Sequence, residues 1–224
     1  MKKILPTALE ARLGYVWRDR ELLEEALTHP SFGKPDYQRL EFLGDRVLGL
    51  VMTELLMKNY PKATEGELGR RHAALVREET LAVVARQWSL GESIRLGSGE
   101  RSSGGADKPA ILADVVEALL GAMYQDGGFE RVRELVAEEW RVLLKELDGL
   151  DAKTRLQELL QARKLALPVY SVLGESGPDH DKFYRVRVTC GFGSGDGEGR
   201  SKRAAEMAAA GALMTTFDLN GGEQ

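Results

Sequence analysis

The chain has 224 residues, 43% of them hydrophobic and 29% charged, which is an ordinary balance for a globular protein and excludes a low-complexity or collagen-like chain. No apolar run reaches the ~18 residues a membrane helix needs, and none follows the opening Met1-Lys2-Lys3, so neither a membrane anchor nor a signal peptide is expected. The net charge of −4 argues against a generic polyanion binder, and the single cysteine, Cys190, rules out an internal disulfide and points to a cytoplasmic protein with a buried thiol.

Residues 1–147 read as a succession of helices. Leu22, Leu23, Ala26 and Leu27 recur at helical spacing, as do Leu40, Leu43, Val47, Leu48 and Val51. Thr64, with Glu67 three residues on, forms a capping box that starts a helix over about 64–88. Residues 97–109, rich in Gly and Ser, read as a loop. A helix over about 110–126 ends at Gly127-Gly128, and another runs through 129–146. Trp17, Trp88 and Trp140 fall within helical segments as packing residues, and His29 and His72 lack partners at metal-ligand spacing.

The pattern changes at 148–153, a short polar linker. Thr154 then caps a helix with Leu156, Leu159 and Leu160 on one face. After Pro168 the period becomes two, with Tyr170/Val172 and Tyr184/Val186/Val188 alternating with polar neighbours. A third strand is expected within the glycine-rich 191–199, and an alanine-rich helix follows from Ser201 to about Thr216. The fold expected is therefore multi-domain. An all-α domain (1–147) precedes a small α+β unit of order α-β-β-β-α (154–220), with both helices on one face of an antiparallel sheet.

Two helices carry acids at spacings that place them on one face. Glu41 and Asp45 stand at i, i+4, and Asp114 and Glu117 at i, i+3. The second pair lies in a segment, 110–124, that is otherwise apolar or small, so it must be largely buried. Buried carboxylates are costly unless paired or bound to metal, and no Lys or Arg lies between Lys108 and Arg131. Four carboxylates from two helices make an oxygen-rich site that suits Mg²⁺, with Mn²⁺ able to substitute, and a site of this kind activates water and neutralises a phosphodiester. Acidic pairs on helices are also common as solvated surface, and Arg39 and Arg46 are candidates to neutralise the first pair without a metal.

The C-terminal unit has as many Lys and Arg as Asp and Glu, 10 of each from Asp151 onward, whereas residues 1–150 hold 21 against 25. A neutral module binds phosphate when its charges are segregated. Ser201, Lys202 and Arg203 stand at a helix N-terminus, where backbone N–H groups already favour phosphate. Gln157, Glu158 and Gln161 lie on the first helix of this unit, and His180 in the turn after Gly177-Pro178. This helix, turn and basic helix start resemble the three contact regions of double-stranded-RNA-binding domains, and the resemblance implies that Gln157, Gln161 and His180 reach the 2′-hydroxyls of the wide minor groove of A-form RNA. No stacked aromatic platform for single strands is present.

The run Arg39-Leu40-Glu41-Phe42-Leu43-Gly44-Asp45, with Thr28-His29 before it and Thr64-Glu65-Gly66 after it, resembles the signature region of bacterial ribonuclease III. Gly104-Gly105 followed by Ile111-Leu112-Ala113-Asp114 and Glu117-Ala118 resembles that family's second acidic motif, and the C-terminal unit resembles a double-stranded-RNA-binding domain. The resemblance implies an Mg²⁺-dependent endoribonuclease that cuts both strands of duplex RNA. Its products would carry 5′-phosphate and 3′-hydroxyl ends with two-nucleotide 3′ overhangs, in rRNA and mRNA processing. It implies Glu41, Asp45, Asp114 and Glu117 as metal-binding residues, with Asp45 and Glu117 central to catalysis. It also implies a homodimer with Phe42 at its interface, and no membrane or organic cofactor. The alternative is a dimeric duplex-RNA-binding regulator without activity. Glu65 matches a further acidic position. Gln38 stands where many members have Glu, Arg46 where they have a small residue, and the segment from Thr28 to Leu40 is short.

Overall fold

The computed structural model describes residues 7–178 and 182–219. Helices α1 (Thr7–Leu13), α2 (Arg20–Ala26), α3 (Gln38–Asn59), α4 (Glu65–Val76), α5 (Glu78–Gln87), α6 (Ser98–Ser102), α7 (Pro109–Gly127), α8 (Phe129–Glu139) and α9 (Arg141–Ala162) come first. Strands β1 (Val169–Ser176), β2 (Phe183–Cys190) and β3 (Gly193–Gly199) and helix α10 (Lys202–Leu219) follow. The chain divides into two compact units, Met1–Arg141 and Val142–Gln224. No helix among the described residues is long and apolar enough to cross a membrane.

In the first unit α7 is the axis of the core. Pro109 stands at its first turn, where the missing N–H is no loss. From Ile111 to Met123 every residue except Asp114 and Glu117 is buried, and α2, α3, α5 and α8 pack around it. The capping box forms as expected. Glu67 N–H donates to Thr64 Oγ1 (3.3 Å), and Thr64 N–H to Glu67 Oε2 (2.7 Å). Trp17, Trp88 and Trp140 are all buried.

Several expected boundaries are corrected. The helix expected over 64–88 is two, because Arg77 turns to extended backbone (ψ 156°). Thr80 Oγ1 donates to Ala74 O across the break (2.8 Å), and the redirected α5 buries Leu81, Val84 and Ala85. The expected loop 97–109 contains α6 and a 3₁₀ turn at Gly105–Asp107. The helix expected over 129–146 stops at Glu139, because the fully buried Trp140 donates its indole N–H to Leu75 O (2.9 Å). The expected linker 148–153 lies inside α9, and so does Thr154, expected as a cap. Only Gly149 opposes helix there, at about 1 kcal/mol, with no proline between 141 and 162.

The second unit is an antiparallel sheet of order β1-β2-β3 with α9 and α10 forming a core on one face. Leu156 and Leu160 of α9, Val188 of β2, and Ala209, Ala210 and Leu213 of α10 are its centre. Cys190 is half-buried at the edge of this core. The glycines of β3 have a packing role. A Cβ at Gly195 would lie 2.8 Å from Ala209 O, one at Gly199 would lie 2.7 Å from Ala205 N, and one at Gly197 would overlap the Ala209 backbone. The helix therefore rests directly on the strand. The Gly197→Ala variant is expected to lose about 3 kcal/mol in this unit. Melting of the full chain, followed by circular dichroism, would show an early transition for the α+β unit and an unchanged one for the helical unit.

Candidate metal centre and RNA-binding surface

Helices α3 and α7 cross where neither has a side chain. A Cβ on Gly44 would overlap the Glu117 carbonyl oxygen, and one on Gly121 the Leu40 carbonyl oxygen. This backbone approach carries Glu41 of α3 up to Asp114 and Glu117 of α7. One carboxylate oxygen from each lies within 4.8 Å of the others, and all three residues are half-buried.

Three acids this close repel one another. Burial, then the charges of Glu41 and Asp114, push the Glu117 carboxyl up to about 7, against a smaller opposing pull from Arg46. Burial and Asp114 raise Glu41. Burial also raises Asp114, while a hydrogen bond from Tyr37 and the charge of His29 work the other way. Clustered oxygen donors held against their own repulsion are the donor set of a hard divalent cation, and these residues fit one.

Asp45 does not join the three. Its carboxylate contacts the Arg46 guanidinium, which also lies over the Phe42 ring, 5.1 Å from its centroid. Arg46 thus pairs with a neighbouring acid, a partner its type alone left open. Gln38 is exposed at the start of α3, and its Oε1 accepts from Lys34 Nζ (3.5 Å). Glu65 is exposed at the start of α4, outside the cluster. Phe42 is no core aromatic, being 68% exposed. His72 is structural, its Nε2 lying 3.1 Å from Gly49 O.

Sequence reasoning missed Tyr37. Its buried hydroxyl donates to Asp114 Oδ2 (3.0 Å) across 77 residues of chain, and nothing in its local pattern signals that partner. It also missed the glycine crossing, although a glycine inside each acidic helix was a signal of close backbone approach.

In the second unit Gln157, Glu158 and Gln161 are exposed along α9. Ser201 Oγ accepts from Ala204 N–H (3.1 Å), capping α10, and Lys202 and Arg203 are exposed in its first turn. Neither Lys202 nor Arg203 forms an ion pair among the described residues. On the sheet, by contrast, Arg187 makes a bidentate pair with Asp196 (2.6 and 2.8 Å), and Arg185 lies 3.6 Å from Glu198. The module is neutral in sum, and its uncancelled positive charge includes the start of α10. His180 lies outside the described residues.

Comparison with known proteins gives the family. Residues 19–143 match the family model described as Ribonuclease-III-like, and residues 152–214 match the double-stranded RNA binding motif. Ribonuclease 3 of Jannaschia sp. (strain CCS1) is 50% identical over 214 residues, 93% of this chain and 94% of that protein. Ribonuclease 3 of Pseudomonas fluorescens (strain SBW25) is 45% identical over 223 residues, 96% of each chain. A solved nuclease domain of ribonuclease III from Campylobacter jejuni, described for flexibility in a region involved in dimer formation, is 41% identical. It superposes with a TM-score of 0.59, covering 60% of this chain and 95% of that one. The chain belongs to the ribonuclease III family of endoribonucleases, with a helical nuclease domain followed by a double-stranded RNA binding motif.

Proposed function

We propose that the protein is an Mg²⁺-dependent endonuclease that hydrolyses both strands of double-stranded RNA in the cytoplasm, in the processing of rRNA and mRNA. The observation that carries this is the convergence of Glu41, Asp114 and Glu117 at the Gly44–Gly121 crossing. Those three residues would hold the metal, with Asp45 joining when its carboxylate leaves Arg46. A divalent cation there supplies a water of lowered pKa and offsets phosphodiester charge. The products would be 5′-phosphate and 3′-hydroxyl ends with two-nucleotide 3′ overhangs.

A staggered double cut needs two centres, hence a homodimer. The exposed side of α3 supports one. Phe42, Leu50 and Met57 are 68%, 54% and 59% exposed and fall within an arc of about 80° of the helix. A groove of about 550 Å³, lined in part by Leu22, Leu40, Leu43 and Gln125, adjoins Phe42. A two-fold axis would seat the Phe42 of each copy in the groove of the other. Gln38 also lines this groove, so its place in the reading is at the interface edge, and Glu65 is left as a secondary candidate.

Gln157, Gln161, His180, Ser201, Lys202 and Arg203 form the proposed duplex-binding surface, with residues 1–147 as the catalytic domain and 154–220 as the binding domain. The Lys202→Ala/Arg203→Ala variant is expected to bind duplex RNA at least about tenfold more weakly. Its salt dependence should be shallower by about two contacts. Binding titrations at several salt concentrations check this, and an unchanged slope would remove these residues from the surface.

The test of the whole reading is cleavage of an end-labelled RNA duplex with Mg²⁺, Mn²⁺ or EDTA, by the wild type and Glu117→Gln. Staggered metal-dependent cuts are expected, lost at least about 100-fold in the variant while duplex binding is kept. EDTA-resistant cleavage, or equal cutting of single strands, would reject it.

A further inference from the structure

The geometry points to Tyr37 as a positioning residue for the metal centre, its hydroxyl holding the Asp114 carboxylate in the orientation that a divalent cation requires. This rests on the reading of Glu41, Asp114 and Glu117 as metal ligands.

Tyr37 stands immediately before α3 and is 3% exposed. Its backbone is held at both ends. Its N–H donates to Thr28 O (2.9 Å), and its carbonyl accepts from Glu41 N–H (2.8 Å), the bond that opens α3. Its ring meets His29 edge-on, with centroids 5.6 Å apart. The hydroxyl is therefore delivered to Asp114 Oδ2, 3.0 Å away, by a residue with little freedom to move. A carboxylate half-buried on α7 can still turn about its Cβ–Cγ bond, and a hydrogen bond to one oxygen stops that rotation. One residue thus joins the helix start that carries Glu41 to the Asp114 of the other helix. Partners of ligating carboxylates typically change metal affinity by about 10- to 100-fold when removed.

A purely structural explanation also exists, since a buried tyrosine hydroxyl needs an acceptor somewhere. The two differ in what Tyr37→Phe does. Phenylalanine keeps the ring, its volume and the His29 contact, and removes one oxygen atom, so the fold is retained. Isothermal titration of the full chain with Mn²⁺ alone would compare the wild type, Tyr37→Phe and Asp114→Asn. Asp114→Asn is expected to lose binding, and Tyr37→Phe to weaken it by about tenfold. In cleavage assays the Mg²⁺ concentration giving half the maximal rate should rise by a similar factor. The kcat at saturating Mg²⁺ and the KM for duplex should stay within about threefold, a pattern that loss of folded protein does not produce. Mn²⁺ affinity within twofold of the wild type in Tyr37→Phe, with binding lost in Asp114→Asn, overturns the role of Tyr37 alone. Equal binding by Asp114→Asn and the wild type overturns the metal-site reading and this inference with it.

Discussion

Gly44→Ala is expected to abolish RNA cleavage and to destabilise the helical unit by about 3–5 kcal/mol, the opposite of what the same change does in most helices. Inside an exposed helix, Gly→Ala gains about 1 kcal/mol, because alanine restricts the unfolded chain and favours the helix. At Gly44 the added carbon would overlap the Glu117 carbonyl oxygen and lie 2.5 Å from its carbon and 3.0 Å from Gly121 N. These are backbone atoms, so no rotamer change relieves the clash. Helix α7 is buried from Ile111 to Met123 apart from Asp114 and Glu117, and it cannot retreat without opening the core. Any accommodation must separate α3 from α7, and that is the separation that sets the Glu41-to-Glu117 spacing. A shift of about 1 Å in such a site costs about 100-fold in rate. Gly49→Ala is the control on the same helix. Its Cβ would meet the His72 ring at 3.7 Å, an ordinary contact, and the variant should melt at or slightly above the wild type. Thermal melts and Mn²⁺ titration of the two variants check the argument. A Gly44→Ala protein with wild-type melting and cleavage would show that the crossing tolerates a side chain and does not set the site.

The parts of this fold legible in the sequence are those that local chemistry dictates. The Thr64–Glu67 box, the apolar run of α7 and the period of two in β1 and β2 each carry their own signal, and each appears where expected. The breaks at Arg77 and Trp140 carry none, since neither glycine nor proline marks them. They arise because α5 must turn its apolar side inward and because the Trp140 indole finds its acceptor at Leu75. The segment at 148–153 reads as a linker because it is polar, but polar residues are compatible with helix and α9 runs through it. The glycines of β3 resemble a turn in composition, yet Gly195, Gly197 and Gly199 alternate because every second residue faces the backbone of α10. For the site, helical spacing placed the acids on their faces and could not decide which would meet. Asp45 has the same spacing argument as Glu41, and the neighbouring Arg46 engages it instead. Tyr37 joins the site through a contact that only the tertiary fold creates.

Glu117→Gln should separate an acid kept for binding a cation from one kept for stability, because the two demand opposite signs. The Glu117 carboxyl is pushed up to about 7, burial being the largest cause and the charges of Glu41 and Asp114 the next. In the unfolded chain a glutamate titrates near ~4.3. Between those values the folded state binds a proton that the unfolded state does not. Without metal, stability from this group is therefore greatest below about pH 4.3, falls as pH rises through the window, and is fully lost above about 7. Discounted for the residue's partial exposure, the loss is about 1–2 kcal/mol. Glutamine removes the charge and can donate to the Glu41 and Asp114 carboxylates. In EDTA at pH 8 the variant should therefore melt higher than the wild type, and the difference should vanish toward pH 4. Adding Mg²⁺ should reverse the order, since a cation bound only to the folded state stabilises by about 2.7 kcal/mol at 100 times its Kd, and only the wild type keeps all three ligands. Melting curves at pH 4, 6 and 8, each with EDTA and with Mg²⁺, contain both comparisons. A Glu117→Gln protein less stable than the wild type in EDTA at pH 8 would mean that Glu117 serves the fold, and the case for a cation between α3 and α7 would lose its electrostatic basis.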